Sequence, residues 1–162
     1  MSELSRRRWE NELRRLMELA ARSRKVELIG VAPRTVTIAL KGPYLRKRGD
    51  RIVEEQELPA VVTFHVGPRY PRDQLNVVWH HPEDVFHPNI LPPAVCLGEF
   101  RPEVFLADLV ARLYDILRGA NLATHDALNP EAAEWYCFQP RDRFPLTAES
   151  FFARPVQVRL LD

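Results

Sequence analysis

Cys96 lies at the end of a proline-rich stretch, in the order Phe-His-Pro-Asn-Ile (86–90) and then Val-Cys-Leu-Gly (95–98). A cysteine thiolate can take an acyl group from another thioester and later yield it to an amine. Polar residues near it in sequence include His87 and Asn89, with His125 and Asp126 further on. A side-chain amide near the thiol can donate to the oxyanion formed when an amine attacks a thioester, or can hold the loop around the thiol. A carboxylate near the thiol can orient an incoming amine and accept its proton. A histidine on the thiol, with an aspartate behind it, would suit a cysteine hydrolase instead. Each residue also has a plainer role. A free cysteine is most often a small buried hydrophobe, an asparagine after proline a turn residue, and an aspartate before a helix a cap.

Such chemistry needs elements to position it. Residues 3–24 have the period of an amphipathic helix, with Leu4, Trp9, Leu13, Leu16, Leu19 and Ala20 recurring at three- and four-residue spacing. Its outer side carries Arg6, Arg7, Arg8, Arg14 and Arg15, a solvated face or a docking surface for an acidic partner. From 26 to 81 the runs shorten: VELIGV, TVTIAL, LPAVVTFHV and LNVVW read as four strands of an antiparallel meander. Residues 42–55 are polar and read as a turn or loop. Residues 82–102 contain five prolines and little periodicity, a long loop of the kind that carries function. A helix is predicted over 103–118 behind Pro102, and another from Pro130 behind the cap Asn129. Cys137 falls on the apolar side of that last helix, beside Ala133 and Tyr136, where packing accounts for it. In the tail, 147–154 has the pattern of a short helix and 156–161 that of a strand. The order predicts an α+β domain over 1–140, with one sheet face covered by helices, and a C-terminal extension over 141–162.

Composition narrows the classes. At 162 residues, 46% hydrophobic and 28% charged, the chain suits one globular domain rather than a disordered one. A net charge of +1 excludes a globally basic nucleic-acid binder. No apolar run approaches the roughly 20 residues that cross a bilayer, and no apolar segment follows the first basic cluster as in a secretory signal. The cytoplasm is the default location, with no membrane partner. Two cysteines 41 residues apart without a Cys-x-x-Cys pair suggest neither a zinc site nor a disulfide framework. His80, His81 and His87 make a poor ligand set, because neighbours in a strand point to opposite faces; no metal is expected. The basic residues are 20 arginines against 3 lysines. That bias accompanies GC-rich genomes and leans towards a bacterial source. It also leaves an enzyme that handles activated acyl groups with few lysines of its own to modify.

Over roughly residues 3–138 the chain resembles the ubiquitin-conjugating enzymes. The match consists of His87-Pro88-Asn89-Ile90, Val95-Cys96-Leu97, the helix that follows, Asp126-Ala127-Leu128-Asn129, and Tyr70-Pro71 in the turn before the fourth strand. The resemblance implies that Cys96 accepts a ubiquitin-like protein as a thioester from an activating enzyme and transfers it to a lysine amine of a protein substrate. It implies Asn89 as the amide at the oxyanion or in the loop, Asp126 as the acidic residue at the edge of the site, and His87, Pro88 and Leu97 as the active-site loop. No cofactor is implied, since ATP is consumed upstream. The first helix would dock the activating enzyme through Arg7, Arg8, Arg14 and Arg15. With a bacterial source, the setting would be an operon-encoded ubiquitin-like pathway, as in phage defence.

The chain departs from the family pattern in places. The gap from Asn89 to Cys96 is one residue shorter, and the loop after Cys96 is about four residues shorter, with Gly98 and Phe100 where the family has an acidic residue and a tryptophan. Arg72 and Glu103 occupy the places where family members present an apolar and a small residue to RING-type ligases, which argues against a usual RING ligase as partner. Two other functions fit the chain: a domain of this fold that only binds its partner, and a cysteine hydrolase.

Overall fold

The computed structural model describes residues 1–122 and 125–152. Helix α1 (Glu3–Arg22) begins at Ser2, whose side chain accepts the Ser5 N–H at 3.1 Å, an N-cap that supplies one of the amides a helix start leaves unpaired. Its inner face buries Ser5, Trp9, Glu12 and Leu16. On its outer face Arg6–Glu10 and Arg7–Glu3 pair at i,i+4 while more than half exposed, contacts worth only tenths of a kcal/mol, on the order of 0.3–0.5.

Strands β1 (Val26–Ala32), β2 (Thr35–Leu40), β5 (Ala60–His65) and β6 (Asn76–His81) lie side by side and antiparallel. This is the expected four-stranded meander. The short pair β7 (Ile90–Leu91) and β8 (Ala94–Val95) extends it to six strands. The period of two sends Val36, Ile38, Leu40, Val62, Phe64, Val77 and Trp79 into one core, where they meet Trp9 and Leu16 of α1. Helix α2 (Leu106–Leu117) adds Leu106, Leu109, Val110, Leu113 and Leu117 to the same core. Thr37, Thr63 and His80 bond across β2, β5 and β6, with Thr37 Oγ1 to Thr63 Oγ1 at 2.7 Å and Thr63 Oγ1 to His80 Nε2 at 2.8 Å. His80 is thus held by a threonine, and among the described residues no group of histidine, cysteine and acidic side chains is arranged to hold a metal.

The segment expected to be a loop, 42–55, is instead a hairpin: β3 (Tyr44–Arg48) pairs β4 (Arg51–Glu55) outside the main sheet. Its strands read as polar because few side chains are buried, Tyr44 and Leu45 being the exceptions. The signal for the turn is Gly49-Asp50, a two-residue connection with Gly49 at φ +61, the left-handed backbone that such turns favour. The hairpin matters to the site. Lys47 N donates to Asp84 O and Phe86 N to Leu45 O, each at 2.8 Å, while the Arg46 guanidinium grips the Asp84 carboxylate through two bonds of 2.6 and 3.0 Å. Residues 84–86 are thereby laid along β3, and they lead directly into His87-Pro88-Asn89.

Helix α2 starts at Leu106 rather than near Pro102. The reason is tertiary: the Glu12 carboxylate of α1 accepts the Leu106 N–H at 2.8 Å, while residues before it turn separately, with Val104 N bonded to Arg101 O. Helix α3 (Pro130–Cys137) begins as expected, with Asn129 accepting the Ala132 N–H at 3.1 Å. Cys137, however, is exposed, as is Phe138; the buried side of α3 is Ala132, Ala133 and Tyr136. The stretch 147–152 holds bends and a turn rather than a helix, and the rest of the 147–154 expectation, with the strand at 156–161, falls outside the described residues. Beyond a 3-10 turn at Arg141–Arg143, the chain returns to the domain. Leu146 N donates to Arg118 O at 2.7 Å, Tyr114 OH to Glu149 O at 3.1 Å, and Phe151 is buried against Tyr114.

Candidate active site

Residues 85–90, from Val85 to Ile90, are all buried, and the His-Pro-Asn triplet is fixed at both ends. At its start Phe86 sits in a small apolar cluster with Leu45, Ala132 and Tyr136, and Tyr136 OH donates to Phe86 O at 3.4 Å. In its middle Asn129 N donates to Pro88 O at 3.1 Å, so the segment carrying Asp126 is anchored to the triplet. Asp126 and His125 are exposed on that segment.

Asn89 and Cys96 are joined twice. Cys96 N donates to Asn89 O at 2.8 Å, and Asn89 Nδ2 donates to Cys96 O at 3.2 Å. The second bond places the amide on the backbone of the thiol-bearing residue itself. Asn89 is buried, whereas Cys96 is half-buried and lines a cleft of about 250 Å³ with Gln74, Leu75, Asn76, Glu99 and Phe100. A small thiol at the mouth of such a cleft is reachable by a partner while its backbone is fixed. A larger cleft, about 840 Å³, lies between the end of α1 and Phe151–Phe152. It holds none of these residues and mixes charges of both signs.

His87 does not act on the thiol. It is 1% exposed, and its Nδ1 accepts the Asn89 N–H at 3.0 Å, which leaves the proton on Nε2. Nε2 faces the Ile116 carbonyl without forming a hydrogen bond of good geometry. Burial pushes the pKa down to about 3, with the Ile116 carbonyl a weaker opposing influence, because taking the ring out of water penalises its charged form. A neutral imidazole whose acceptor nitrogen is already occupied has no lone pair left for a base role. That removes the arrangement a hydrolase would need at His87.

The loop after Cys96 is held from two helices. Arg112 of α2 donates from one guanidinium nitrogen to Leu97 O at 3.1 Å and Glu99 O at 3.0 Å. Between those carbonyls Gly98 has φ +81, a backbone that side chains other than glycine rarely adopt. Phe100 stacks on Tyr70, ring centroids 6.3 Å apart. Further on, Arg8 of α1 reaches Pro102 O at 3.3 Å and Val104 O at 3.5 Å. Arg8 is itself bonded to Glu12 at 2.7 Å, and Tyr70 OH donates to the same carboxylate at 3.0 Å. Burial and that carboxylate push the Tyr70 phenol well above its ordinary pKa, so it remains a donor.

These contacts divide the four helix arginines expected as a docking surface. Arg8 turns inward to Glu12 and the loop carbonyls, its guanidinium also 4.3 Å from the Phe105 ring centroid. Arg15 lies over the same ring at 3.8 Å. Arg7, Arg14 and Arg15 are exposed, and of the four only Arg8 is half-buried. Arg72 and Glu103 are both exposed. Sequence reasoning missed Glu12, Arg8 and Arg112 as organisers of the loop. Nothing in their spacing separates them from surface charges; only the fold shows which carbonyls they meet.

No protein-family model matches the sequence, and no curated protein matches it. Among solved structures, S. cerevisiae Ubc12 superposes with a TM-score of 0.62 at 20% identity, over 84% of this chain and 72% of that one. The α+β fold is therefore the ubiquitin-conjugating enzyme fold. Among the described residues no helix is long and apolar enough to cross a membrane.

Proposed function

We propose that the chain is a conjugating enzyme for a ubiquitin-like protein, with Cys96 as the acyl carrier. The observation that supports this most directly is the double tie between Asn89 and Cys96, which leaves a half-buried thiol at a cleft with a buried amide fixed beside it. In the first step the Cys96 thiolate attacks the thioester carbonyl of the charged activating enzyme, whose own cysteine leaves as thiolate. In the second, a lysine amine of the protein substrate attacks the Cys96 thioester. The C–N bond forms, Cys96 departs as thiolate, and the amine's proton passes to Asp126 or to water.

Asn89 steadies the backbone of Cys96 through both steps and lies next to the carbonyl oxygen as it gains charge. His87, Pro88 and Leu97 complete the loop. Arg7 and Arg14 suit electrostatic docking of an acidic activating enzyme, an effect mainly on encounter rate and orientation; Arg8 and Arg15 contribute to that face only beside their packing on Phe105. The charged Arg72 and Glu103 speak against a usual RING ligase.

The test is a charging reaction with the cognate activating enzyme, its ubiquitin-like protein and ATP, resolved on a non-reducing gel. Cys137 is exposed, so the wild type is run beside Cys137→Ser to exclude disulfide adducts. A reducible adduct present in Cys137→Ser and lost in Cys96→Ala establishes the reading. An activating enzyme that charges itself yet never passes its cargo to Cys96 refutes it, and leaves a binding domain of the same fold.

A further inference from the structure

The carbonyl oxygens of the segment after Cys96 are taken by two arginines from different helices, Leu97 and Glu99 by Arg112, Pro102 and Val104 by Arg8. Among the described residues Arg112 has no ion-pair partner, whereas Arg8 has Glu12. Its donors instead go to a segment that contains a left-handed glycine and no regular structure between Val95 and Leu106. The side chains of Leu97, Phe100 and Val104 pack on the core, but the backbone groups of the segment have no ladder and must find other partners. Arg112 stands one helical turn from Leu109, and Leu109 lines the Cys96 cleft together with Leu97, Gly98 and Glu99.

We infer that Arg112 is a positioning residue: by gripping the carbonyls on both sides of Gly98 it holds the wall of the Cys96 cleft, and through it the direction in which the thiol is presented. The inference rests on the conjugating reading for its catalytic consequence, though not for the clamp itself. A planar guanidinium offers two N–H groups on one nitrogen in fixed directions, so it can hold both carbonyls together. A lysine ammonium in its place is a flexible point donor and holds them less well. An alanine holds neither.

The experiment uses the full chain in a Cys137→Ser background and compares Arg112 with Arg112→Lys and Arg112→Ala. The rate of cleavage after Glu99 by a glutamate-specific protease reads the clamp, and single-turnover transfer from the charged activating enzyme reads its consequence. Arg112→Ala should speed that cleavage by about tenfold or more, while amide hydrogen exchange in α2 and the sheet keeps its protection. It should lower the maximal transfer rate by about tenfold, with half-saturation changed less than about twofold, because misplacing a reacting group acts on the step rather than on binding. Arg112→Lys should recover part of both. Unchanged cleavage after Glu99 in Arg112→Ala overturns the inference, as does a transfer defect carried wholly by half-saturation. So does a loss of protection across the whole chain, which would make the effect one of stability. If the wild type is never charged while Arg112→Ala still loosens 97–101, the clamp stands and the conjugating reading fails.

Discussion

The Glu12 carboxylate, midway along α1, accepts the N–H of Leu106, the first residue of α2, at 2.8 Å. The first amides of a helix have no partner within it, and a carboxylate there also favours the helix dipole. Here both needs are met from a different helix. The same carboxylate takes Arg8 and the Tyr70 hydroxyl, so one buried side chain ties α1, the turn at Tyr70 and the start of α2. Glu12→Ala would leave three donors without their acceptor and should lower the unfolding free energy by about 3 kcal/mol. Glu12→Gln keeps one acceptor oxygen and should cost less. Urea unfolding of the two variants checks this; a loss below about 1 kcal/mol in the alanine variant would mean the network sets geometry without adding stability.

How much of this was readable in advance follows from what each residue faces. The four-strand meander and α1 declared themselves through apolar periodicity, because alternate or every third to fourth residue packs on the core. The start of α3 was legible in Asn129-Pro130, a local signal independent of the fold. The β3–β4 hairpin was not, since only Tyr44 of it enters the main core and Leu45 the smaller cluster, while the rest lies beside the loop at 84–86, and alternation gave no cue. Glu12 and Arg112 were invisible for a related reason: a charge among charges on a helix reads as solvent-facing. The His-Pro-Asn and Val-Cys-Leu segments could be read as a pair, but their direct contact through Asn89 and Cys96 is a property of the folded chain.

Asn89 carries a prediction that separates its two roles. Asn89→Ala removes the bond to Cys96 O and should reduce stability by about 1 kcal/mol, the net worth of one such bond. If the amide also meets the oxyanion, discharge of a precharged Cys96 thioester onto free lysine should slow by about 100-fold. Discharge at the wild-type rate from a destabilised variant would confine Asn89 to holding the loop.

The scarcity of lysine predicts where self-modification goes. Lys25 is bound to Glu149 and to the Ser150 carbonyl, and Lys47 to Glu131. Lys41 is exposed. In prolonged charging reactions without a substrate, mass spectrometry of the proteolysed chain should find the cargo on Lys41 in preference to Lys25 and Lys47. Lys41→Arg should remove most of the adduct that survives reductant. Equal labelling of the three lysines would contradict the shielding.

His87 predicts the pH dependence of stability. Folded, its pKa is lowered from 6.5 to about 3, chiefly by burial. The unfolded chain therefore binds one more proton than the folded chain between those values, and stability must fall as pH drops through that window. Above 6.5 the ring is neutral in both states and contributes no slope. Glu55 acts in the same direction, its pKa held down from 4.5 to about 2 by the Leu58 N–H and by Arg46, but that stability is lost only as pH falls below 4.5. The range from 6.5 to 4.5 therefore isolates His87 from Glu55. At pH 5 the ring should cost about 2 kcal/mol relative to pH 7, at roughly 1.4 kcal/mol per unit below 6.5. His87→Gln can still accept the Asn89 N–H through its side-chain oxygen but does not titrate, so its urea midpoint should change less between pH 7 and pH 5 than that of the wild type. Equal changes in the two proteins would mean that the folded state admits the proton on His87, and that burial at this position is not what keeps the ring neutral.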